Sequence, residues 1–217
     1  VFSSFNYLIL QIFAQIHMRD GGDPWEPRGA MSPSFGPSDG QSFGRRTTGH
    51  GFTVPEIKKW VEAQGRCARH LTEAGYDGIE LHVTHGMVLE MFLSPFFNKR
   101  TDEYGGSLEN RARFAIEVLG RVRELCGENF VIEYRISADE IHPDGMHLEE
   151  TLQFIELIQD KVDILHVSAG LHGEFQYMRN WWQNYLMDRE YNVHYAADVK
   201  KAFPNKVVCT VGSIMDI

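Results

Sequence analysis

The chain has 217 residues, of which 43% are hydrophobic and 12% aromatic, so it can bury the core of one globular domain. Its formal net charge of -9 disfavours nucleic acids and anionic membranes as partners. Cys67, Cys126 and Cys209 are far apart in the sequence, and an odd number of cysteines argues against a disulfide framework. We therefore expect a reduced, cytoplasmic setting, and the cysteine spacing predicts no metal site of the zinc or iron–sulfur type.

The chain opens with an apolar segment, residues 1–16, that lacks a basic stretch and is interrupted by polar residues such as Gln15. This pattern predicts a helix followed by a short buried strand at residues 12–16, and it disfavours a signal peptide or a membrane span. Gln15 stands near the carboxyl end of that strand, where its amide offers a donor and an acceptor to a planar heterocycle. A glutamine bonded to loop backbone explains the same position equally well.

A segment rich in glycine, proline and serine follows, and residues 17–51 are predicted to form a loop. A helix comes next, because Thr53 is a suitable N-cap and apolar residues then recur about every 3.6 positions. Gly75 is a suitable stop for this helix.

Residues 75–114 form the most informative stretch of the chain. After a short apolar run at residues 78–83, His82 and His85 stand where a strand gives way to a long connection, and long connections of this kind are usually functional. A helix is then predicted from Ser107 to about residue 125. The two histidines could be a metal pair, hydrogen-bonded structural residues or catalytic donors. No carboxylate or cysteine cluster in the sequence completes a metal-ligand set, which disfavours the first alternative.

The remainder of the chain alternates strands with helices. Strands are predicted at residues 130–135, 162–167 and 207–211, and helices at residues 148–159 and 196–202. Polar or glycine positions end or follow the strands, namely Arg135, Ser168, Gly170, Gly212 and Ser213. A salt bridge to Asp139 or Glu140 is the structural alternative for Arg135. Residues 175–195 form an aromatic and amide-rich insertion that includes Tyr177, Trp181, Trp182 and Tyr185.

Five strands that alternate with helices predict an α/β fold of the (β/α)8 TIM-barrel type. A full barrel has eight such units in about 250 residues, so this chain is expected to hold an incomplete one. Active sites in such barrels form on the loops at the carboxyl ends of the strands, which is where the polar residues above are predicted to lie.

One stretch carries a resemblance to a known family. A His-x-x-His pair after the strand GYDGIEL is followed by LSPFFNKRTDEYGGSLENRARF, and this combination resembles the old yellow enzyme class of NADH:flavin oxidoreductases. The closest branch is that of the 2-enoate reductases, the bile-acid-inducible proteins and the trimethylamine dehydrogenase-like enzymes. The resemblance implies that residues 1–217 are one FMN-binding TIM-barrel domain, truncated at both ends, with about strands three to seven present.

The resemblance also implies roles for individual residues. His82 and His85 match the catalytic pair that lies over the flavin and donates hydrogen bonds to a carbonyl or carboxylate oxygen of the substrate. Gln15 matches the residue at the flavin pyrimidine edge, and Arg135 matches the cation beside the reduced ring. By their position at strand ends, Ser168, Gly170, Gly212 and Ser213 offer backbone donors suited to the FMN phosphate, and only Gly212 and Ser213 match the family's phosphate loop well. Tyr177, Trp181 and Trp182 either line a substrate pocket or pack the insertion onto the barrel rim.

The implied activity is hydride transfer from NADH or NADPH, through FMN, to an activated alkene such as an enone or enoate. Met87 departs from the family, in which a tyrosine at this position is the common proton donor, so Tyr177, Tyr185 or water are left as sources of the proton. A flavin-dependent amine dehydrogenase-like activity is an alternative, and its iron–sulfur cluster would lie outside this chain. A flavin-free phosphate-binding barrel enzyme and a non-catalytic barrel remnant are further alternatives. The expected partner is a small molecule, and a homo-oligomer is left open.

Overall fold

The computed structural model describes residues 11–17, 34–41, 48–172, 175–178 and 188–215. In chain order the elements are β1 (Phe13–His17), β2 (Ser34–Gly36), β3 (Gly40–Gln41), β4 (Thr48–Gly51), α1 (Val54–Glu73), β5 (Gly78–Val83), α2 (Val88–Leu93), α3 (Leu108–Cys126), β6 (Val131–Ser137), α4 (Leu148–Ile158), β7 (Ile164–Ser168), α5 (Phe175–Met178), α6 (Val193–Ala202) and β8 (Val207–Thr210). No helix among these residues is both long enough and apolar enough to cross a membrane.

The main sheet has five parallel strands in the order β1-β5-β6-β7-β8. Helices α1, α3, α4 and α6 follow successive strands of this sheet, α1 and α3 pack against each other, and α6 packs against β7 and β8. This is the predicted alternation of strands and helices, and each predicted strand of the main sheet is present to within two residues.

Alternate residues of the strands separate the two faces of the main sheet. Ile79, Leu81, Ile132 and Tyr134 are buried in the core between sheet and helices. The residues between them point to the opposite face, because successive side chains of a strand alternate. We call this opposite face the polar face; the paired positions that define it are Gln15, His17, Glu80, His82, Glu133, Arg135, His166 and Cys209.

Helix α1 begins with the predicted cap. The Thr53 hydroxyl accepts a hydrogen bond from the Glu56 N–H at 3.4 Å, and the Glu56 carboxylate accepts one from the Thr53 N–H at 2.8 Å. This reciprocal arrangement is a capping box, which satisfies backbone donors at the start of a helix. After the helix ends, Gly75 adopts a positive φ of 88°, which suits glycine at a helix stop.

Two parts of the predicted loops contain regular structure. Strands β2, β3 and β4 form a small three-stranded sheet inside the region predicted to be a loop. These strands have two to four residues and include several glycines, so they lack the alternating pattern that identifies a strand. The six-residue helix α2 was also missed, because it is too short to show helical periodicity and starts at Met87 without a side-chain cap.

The long connection between α2 and α3 is held by polar contacts. The Arg100 guanidinium donates to Asp102 at 2.9 Å and to the carbonyl of Pro37 at 2.8 Å, which joins the connection to the small sheet. The Asn110 amide donates to the Gly105 carbonyl at 3.1 Å. This part of residues 75–114 is therefore architectural, and it fixes the segment that follows β5.

Candidate active site

Glu80 is the centre of the polar groups on the polar face. The Gln15 amide donates to its Oε1, and His82 Nδ1 lies 3.4 Å from the same oxygen. Arg135 Nη1 is 3.9 Å from Oε1, whereas His166 Nδ1 is 3.2 Å from the other oxygen, Oε2. One carboxylate on β5 therefore brings together side chains from β1, β5, β6 and β7.

The surroundings of Glu80 favour its ionised form. Burial opposes ionisation, but hydrogen bonds from His166, His82 and Gln15, together with the charge of Arg135, outweigh it and hold the pKa of Glu80 well below its ordinary value. Glu80 is therefore a carboxylate near neutral pH, and the groups around it are arranged to donate to it.

His166 bridges two carboxylates. Its Nδ1 lies 2.7 Å from Glu133 Oε1 in addition to its contact with Glu80. Burial lowers the pKa of His166, but the hydrogen bonds to Glu133 and Glu80 outweigh this effect and raise the pKa above its ordinary value. Arg135, Glu80, Glu133 and His166 thus form one network of ionisable side chains.

Arg135 lies in this network and not in the salt bridge that the sequence offered as its alternative. Its nearest carboxylate is Glu80, on the neighbouring strand, rather than Asp139 or Glu140. Among the described residues its Nε is buried without a hydrogen-bond partner. Burial lowers the pKa of Arg135, while the charges of Glu80 and Glu133 oppose this change; an arginine nevertheless stays a cation.

The two histidines of the His-x-x-His pair are joined through Thr84. The Thr84 hydroxyl is 3.3 Å from His82 Nε2 and 3.0 Å from His85 Nδ1. His85 Nε2 lies 2.8 Å from the Ser168 hydroxyl at the end of β7. The resulting chain of contacts runs from Glu80 through both imidazoles to Ser168. The sequence-predicted residues Gln15, His82, His85 and Arg135 are thus brought into one connected cluster.

The backbone places His85 in an unusual position. Its φ of 59° lies in the left-handed region, and Gly86 follows with a φ of 82°. Buried Glu90 on α2 accepts a hydrogen bond from the Gly86 N–H and fixes this turn. Burial, with smaller effects from the charges of Arg135 and His82, holds the pKa of His85 well below its ordinary value. His85 is therefore a neutral imidazole near neutral pH.

The residues predicted to hold a phosphate differ in what they contact. The Ser168 hydroxyl is used by His85, and the Gly170 N–H donates to the Asp139 carbonyl at 2.8 Å. Gly212 and Ser213, after β8, adopt positive φ values of 125° and 47°. The phosphate role of all four residues stays a prediction.

The substrate-binding prediction is only partly within the described structure. The ring of Tyr177 lies 5.0 Å from that of His142, which in turn stacks on Phe96 at 3.8 Å between ring centroids. These rings come from the loops after β5, β6 and β7, at the carboxyl ends of the strands. Trp181, Trp182 and Tyr185 lie outside the described residues, so their predicted roles stay predictions.

Sequence reasoning missed several polar residues of the cluster, namely His17, Glu80, Thr84, Glu133, His166 and His172. His17 packs on the His82 ring with centroids 4.6 Å apart, and the His172 N–H donates to the His85 carbonyl at 3.2 Å. A signal for some of them was present: Glu80 and His82, like Glu133 and Arg135, are two residues apart in apolar strands. Period-two polar residues in buried strands indicate a shared face.

A five-stranded parallel sheet whose strands are followed by helices packed on one face is typical of the barrel-type α/β class. Residues 11–216 match the model of the NADH:flavin oxidoreductase / NADH oxidase family. The chain belongs to this family, as the resemblance implied, and the cofactors of the family are FMN and a nicotinamide nucleotide.

Individual relatives agree with this assignment. An NADH oxidase of Thermoanaerobacter brockii is 37% identical over 166 residues, which is 76% of this chain and 25% of that protein. A cinnamate reductase of Clostridium sporogenes is 49% identical over 87 residues, which is 40% of this chain and 13% of that protein. The chain therefore spans a minor part of the relatives that it matches.

A solved structure supports the fold. The structure of a 2-naphthoyl-CoA reductase in complex with 2-naphthoyl-CoA superposes with a TM-score of 0.76 at 27% sequence identity, and the match covers 83% of this chain and 27% of that one. The structural neighbours are TIM-barrel flavoenzymes, which confirms the predicted barrel class.

Proposed function

We propose that this chain forms part of the active site of an oxidoreductase that passes hydride from NADH or NADPH, through FMN, to an activated alkene of the enone or enoate type. One observation carries the proposal: Gln15, His82 and Arg135 surround a single carboxylate, Glu80, on the polar face. An amide and a guanidinium suit the polar edge of a flavin, and imidazole donors suit a polarised substrate oxygen. The similarity to a cinnamate reductase supports a conjugated acid as the substrate class.

The side chains present fit FMN. The buried Nε of Arg135 lacks a partner among the described residues, so the guanidinium keeps a donor for a ligand. Glu80 fixes the orientation of the Gln15 amide at the exposed edge of the sheet. When bound, FMN supplies the hydride chemistry that protein side chains lack. Arg135 would stabilise negative charge on the reduced ring, and Gly212 with Ser213 would hold the phosphate.

His82 and His85 would act on the substrate oxygen. Hydrogen bonds to that oxygen stabilise the negative charge that develops there when hydride reaches the substrate. His82 contacts Glu80 directly, so the carboxylate orients the ring. His85 is more deeply buried than His82 and is connected to it through Thr84. His85 would therefore also hold the His82 ring in place.

The cysteines, the family and the net charge bear on the cellular environment and the partners of the protein. We propose a reduced, cytoplasmic environment, supported by the three cysteines Cys67, Cys126 and Cys209, all of which are free thiols. A small-molecule substrate is supported by the family, and the net charge of -9 supports neither nucleic acid nor an anionic membrane as a partner. A homo-oligomer stays a prediction.

Replacing His82 tests the proposal. In the FMN-loaded chain, His82→Ala should weaken the binding of a phenolic or carboxylate ligand about tenfold or more, since a hydrogen bond to a charged group contributes roughly 1.5 to 3 kcal/mol. FMN binding should change little, because His82 is assigned to the substrate. Both affinities are measured by titration while the flavin absorbance is followed.

The exposed His70 on α1 provides the matched control, and His70→Ala should leave both affinities unchanged. Equal loss of flavin and ligand in His82→Ala would contradict the proposal, because it would show that the residue is structural. Oxidation of an amine without reduction of an enoate by the loaded protein would favour the amine dehydrogenase-like alternative.

A further inference from the structure

The polar face also gathers side chains that bind metals. Glu133, His166 and Cys209, on β6, β7 and β8, each offer a ligand atom, and these atoms all lie within 4.8 Å of one another. The Cys209 thiol is 3.8 Å from Glu133 Oε1, and Glu80 Oε2 is 3.2 Å from His166 Nδ1. We propose that Glu133, His166 and Cys209 bind a divalent transition-metal ion of the zinc class.

The donor set and its spacing fit such an ion. Zinc binds imidazole nitrogen and carboxylate oxygen at about 2.0 Å and thiolate sulfur at about 2.3 Å, so tetrahedral ligand atoms stand roughly 3.3 to 3.6 Å apart. The contact between Cys209 and Glu133 is already close to this spacing. The 2.7 Å contact between His166 Nδ1 and Glu133 Oε1 has to open by about half an ångström, which small side-chain rotations supply once the ion replaces the proton.

Two carboxyl groups lie beside the proposed ligand nitrogen. Glu133 Oε1 is 2.7 Å and Glu80 Oε2 is 3.2 Å from His166 Nδ1, so the place proposed for the ion is surrounded by oxygens that attract a divalent cation. Arg135 is oriented toward the other oxygen of Glu80, at 3.9 Å from Oε1. The ligands release protons when a metal ion binds, and this release offsets part of the charge that the ion adds.

The ion would join neighbouring strands. The three ligands come from β6, β7 and β8 of the main sheet. Three protein ligands leave one tetrahedral position of the ion for a water molecule. The sequence did not indicate this site, because its ligands are distant along the chain. The inference stands independently of the proposed function.

Cobalt(II) is a suitable probe, because a cobalt–thiolate bond gives an absorption band that other ligands do not. We expect the FMN-free chain, kept reduced without added thiols, to bind one Co²⁺ with a thiolate band that Zn²⁺ abolishes by displacement. Cys209→Ser should remove the band, and Cys67→Ser, at an exposed thiol on α1, should keep it. Glu133→Gln should weaken Co²⁺ binding about tenfold or more while the band persists at saturation.

Circular dichroism checks that each variant is folded. If Cys209→Ser does not fold, Glu133→Gln still tests the site, because glutamine has nearly the same shape as glutamate. Zn²⁺ should also raise the thermal unfolding midpoint of the wild-type chain and not that of Glu133→Gln at the same concentration. The inference is overturned if no thiolate band forms, if the band is lost in Cys67→Ser, or if Glu133→Gln binds Co²⁺ like the wild type.

Discussion

Glu80 shows how one residue organises the polar face. Its two carboxylate oxygens have different partners: Oε1 meets Gln15, His82 and Arg135, and Oε2 meets His166. An ionised, half-buried carboxylate of this kind is stable because several donors compensate for the water it has lost. Glu80 therefore ties the proposed flavin contacts to the network beneath them.

Glu140, like Glu90, is a fully buried carboxyl, and it lies outside that network. The Ser94 hydroxyl and the Met146 N–H donate to its Oε2 at 2.7 and 2.8 Å. Burial raises the pKa of Glu140 to about 7, and these two hydrogen bonds only partly oppose the change. Between the ordinary pKa of a glutamate and about pH 7, Glu140 is therefore protonated in the folded protein and ionised in the unfolded chain.

This difference predicts how stability depends on pH. A carboxyl with a raised pKa in the folded state makes the free energy of unfolding fall as pH rises through that window. The glutamine of Glu140→Gln does not ionise. This variant should therefore lose roughly 2 to 3 kcal/mol less free energy of unfolding between pH 5 and pH 8 than the wild type, as measured by chemical denaturation. The exposed Glu149→Gln is the control, and identical pH profiles for the two variants would contradict the prediction.

At the scale of elements, polar side chains of helices α2 and α3 hold the turn after β5 in place. Helix α2 directly follows the turn that carries His85, and its residue Glu90 binds the Gly86 N–H. The far end of α2 is held by Arg111 on α3, whose guanidinium donates to the Leu93 carbonyl at 2.6 Å and to the Gly106 carbonyl at 2.7 Å. Arg111 also pairs with Glu150 on α4. One buried cation thus joins three helices around the loop after β5.

Arg111→Met should therefore destabilise the protein by about 2 to 4 kcal/mol, because two carbonyls and a carboxylate lose their donor in a buried place. Denaturant unfolding followed by circular dichroism measures the change. Arg66→Met, at an exposed position of α1, should cost less than about 0.5 kcal/mol. A loss in Arg111→Met no larger than that in Arg66→Met would show that the three helices are held by apolar packing alone.

At the scale of the whole molecule, we predict that these 217 residues bind FMN by themselves. A ligand that binds only the folded state stabilises it by about 2.7 kcal/mol at a concentration one hundred times its Kd. We expect FMN to raise the thermal unfolding midpoint and its own fluorescence to be quenched on binding. Arg135→Gln should lower the affinity about tenfold, because a charged hydrogen bond is lost.

Arg69→Gln, an exposed change on α1, is the matched control and should bind FMN like the wild type. Binding of equal strength by Arg135→Gln would remove Arg135 from the proposed flavin site. A wild-type chain that shows no quenching and no stabilisation would favour the alternative of a barrel remnant without a cofactor.

Local sequence determined the regular elements and the family. Amphipathic periodicity located α1, α3 and α4, since helix formation depends on residues three and four apart, and Thr53 and Ser107 marked two of the helix starts. The four residues Gln15, His82, His85 and Arg135 were recognised because each stands near the end of a predicted strand. Short elements such as β3 and α2 contain too few residues for any period to be visible.

Only the tertiary structure decided which side chains meet. Glu80, Thr84, His166 and Cys209 come from strands and turns up to 129 positions apart (209 minus 80), and the register of the parallel sheet brings them to one face. Register is a property of pairs of strands, so no single strand encodes it. The sequence alone thus determined which side chains each strand carries. The pairing of the strands decided that the Glu80 carboxylate contacts the Gln15 amide, the His82 imidazole and the Arg135 guanidinium.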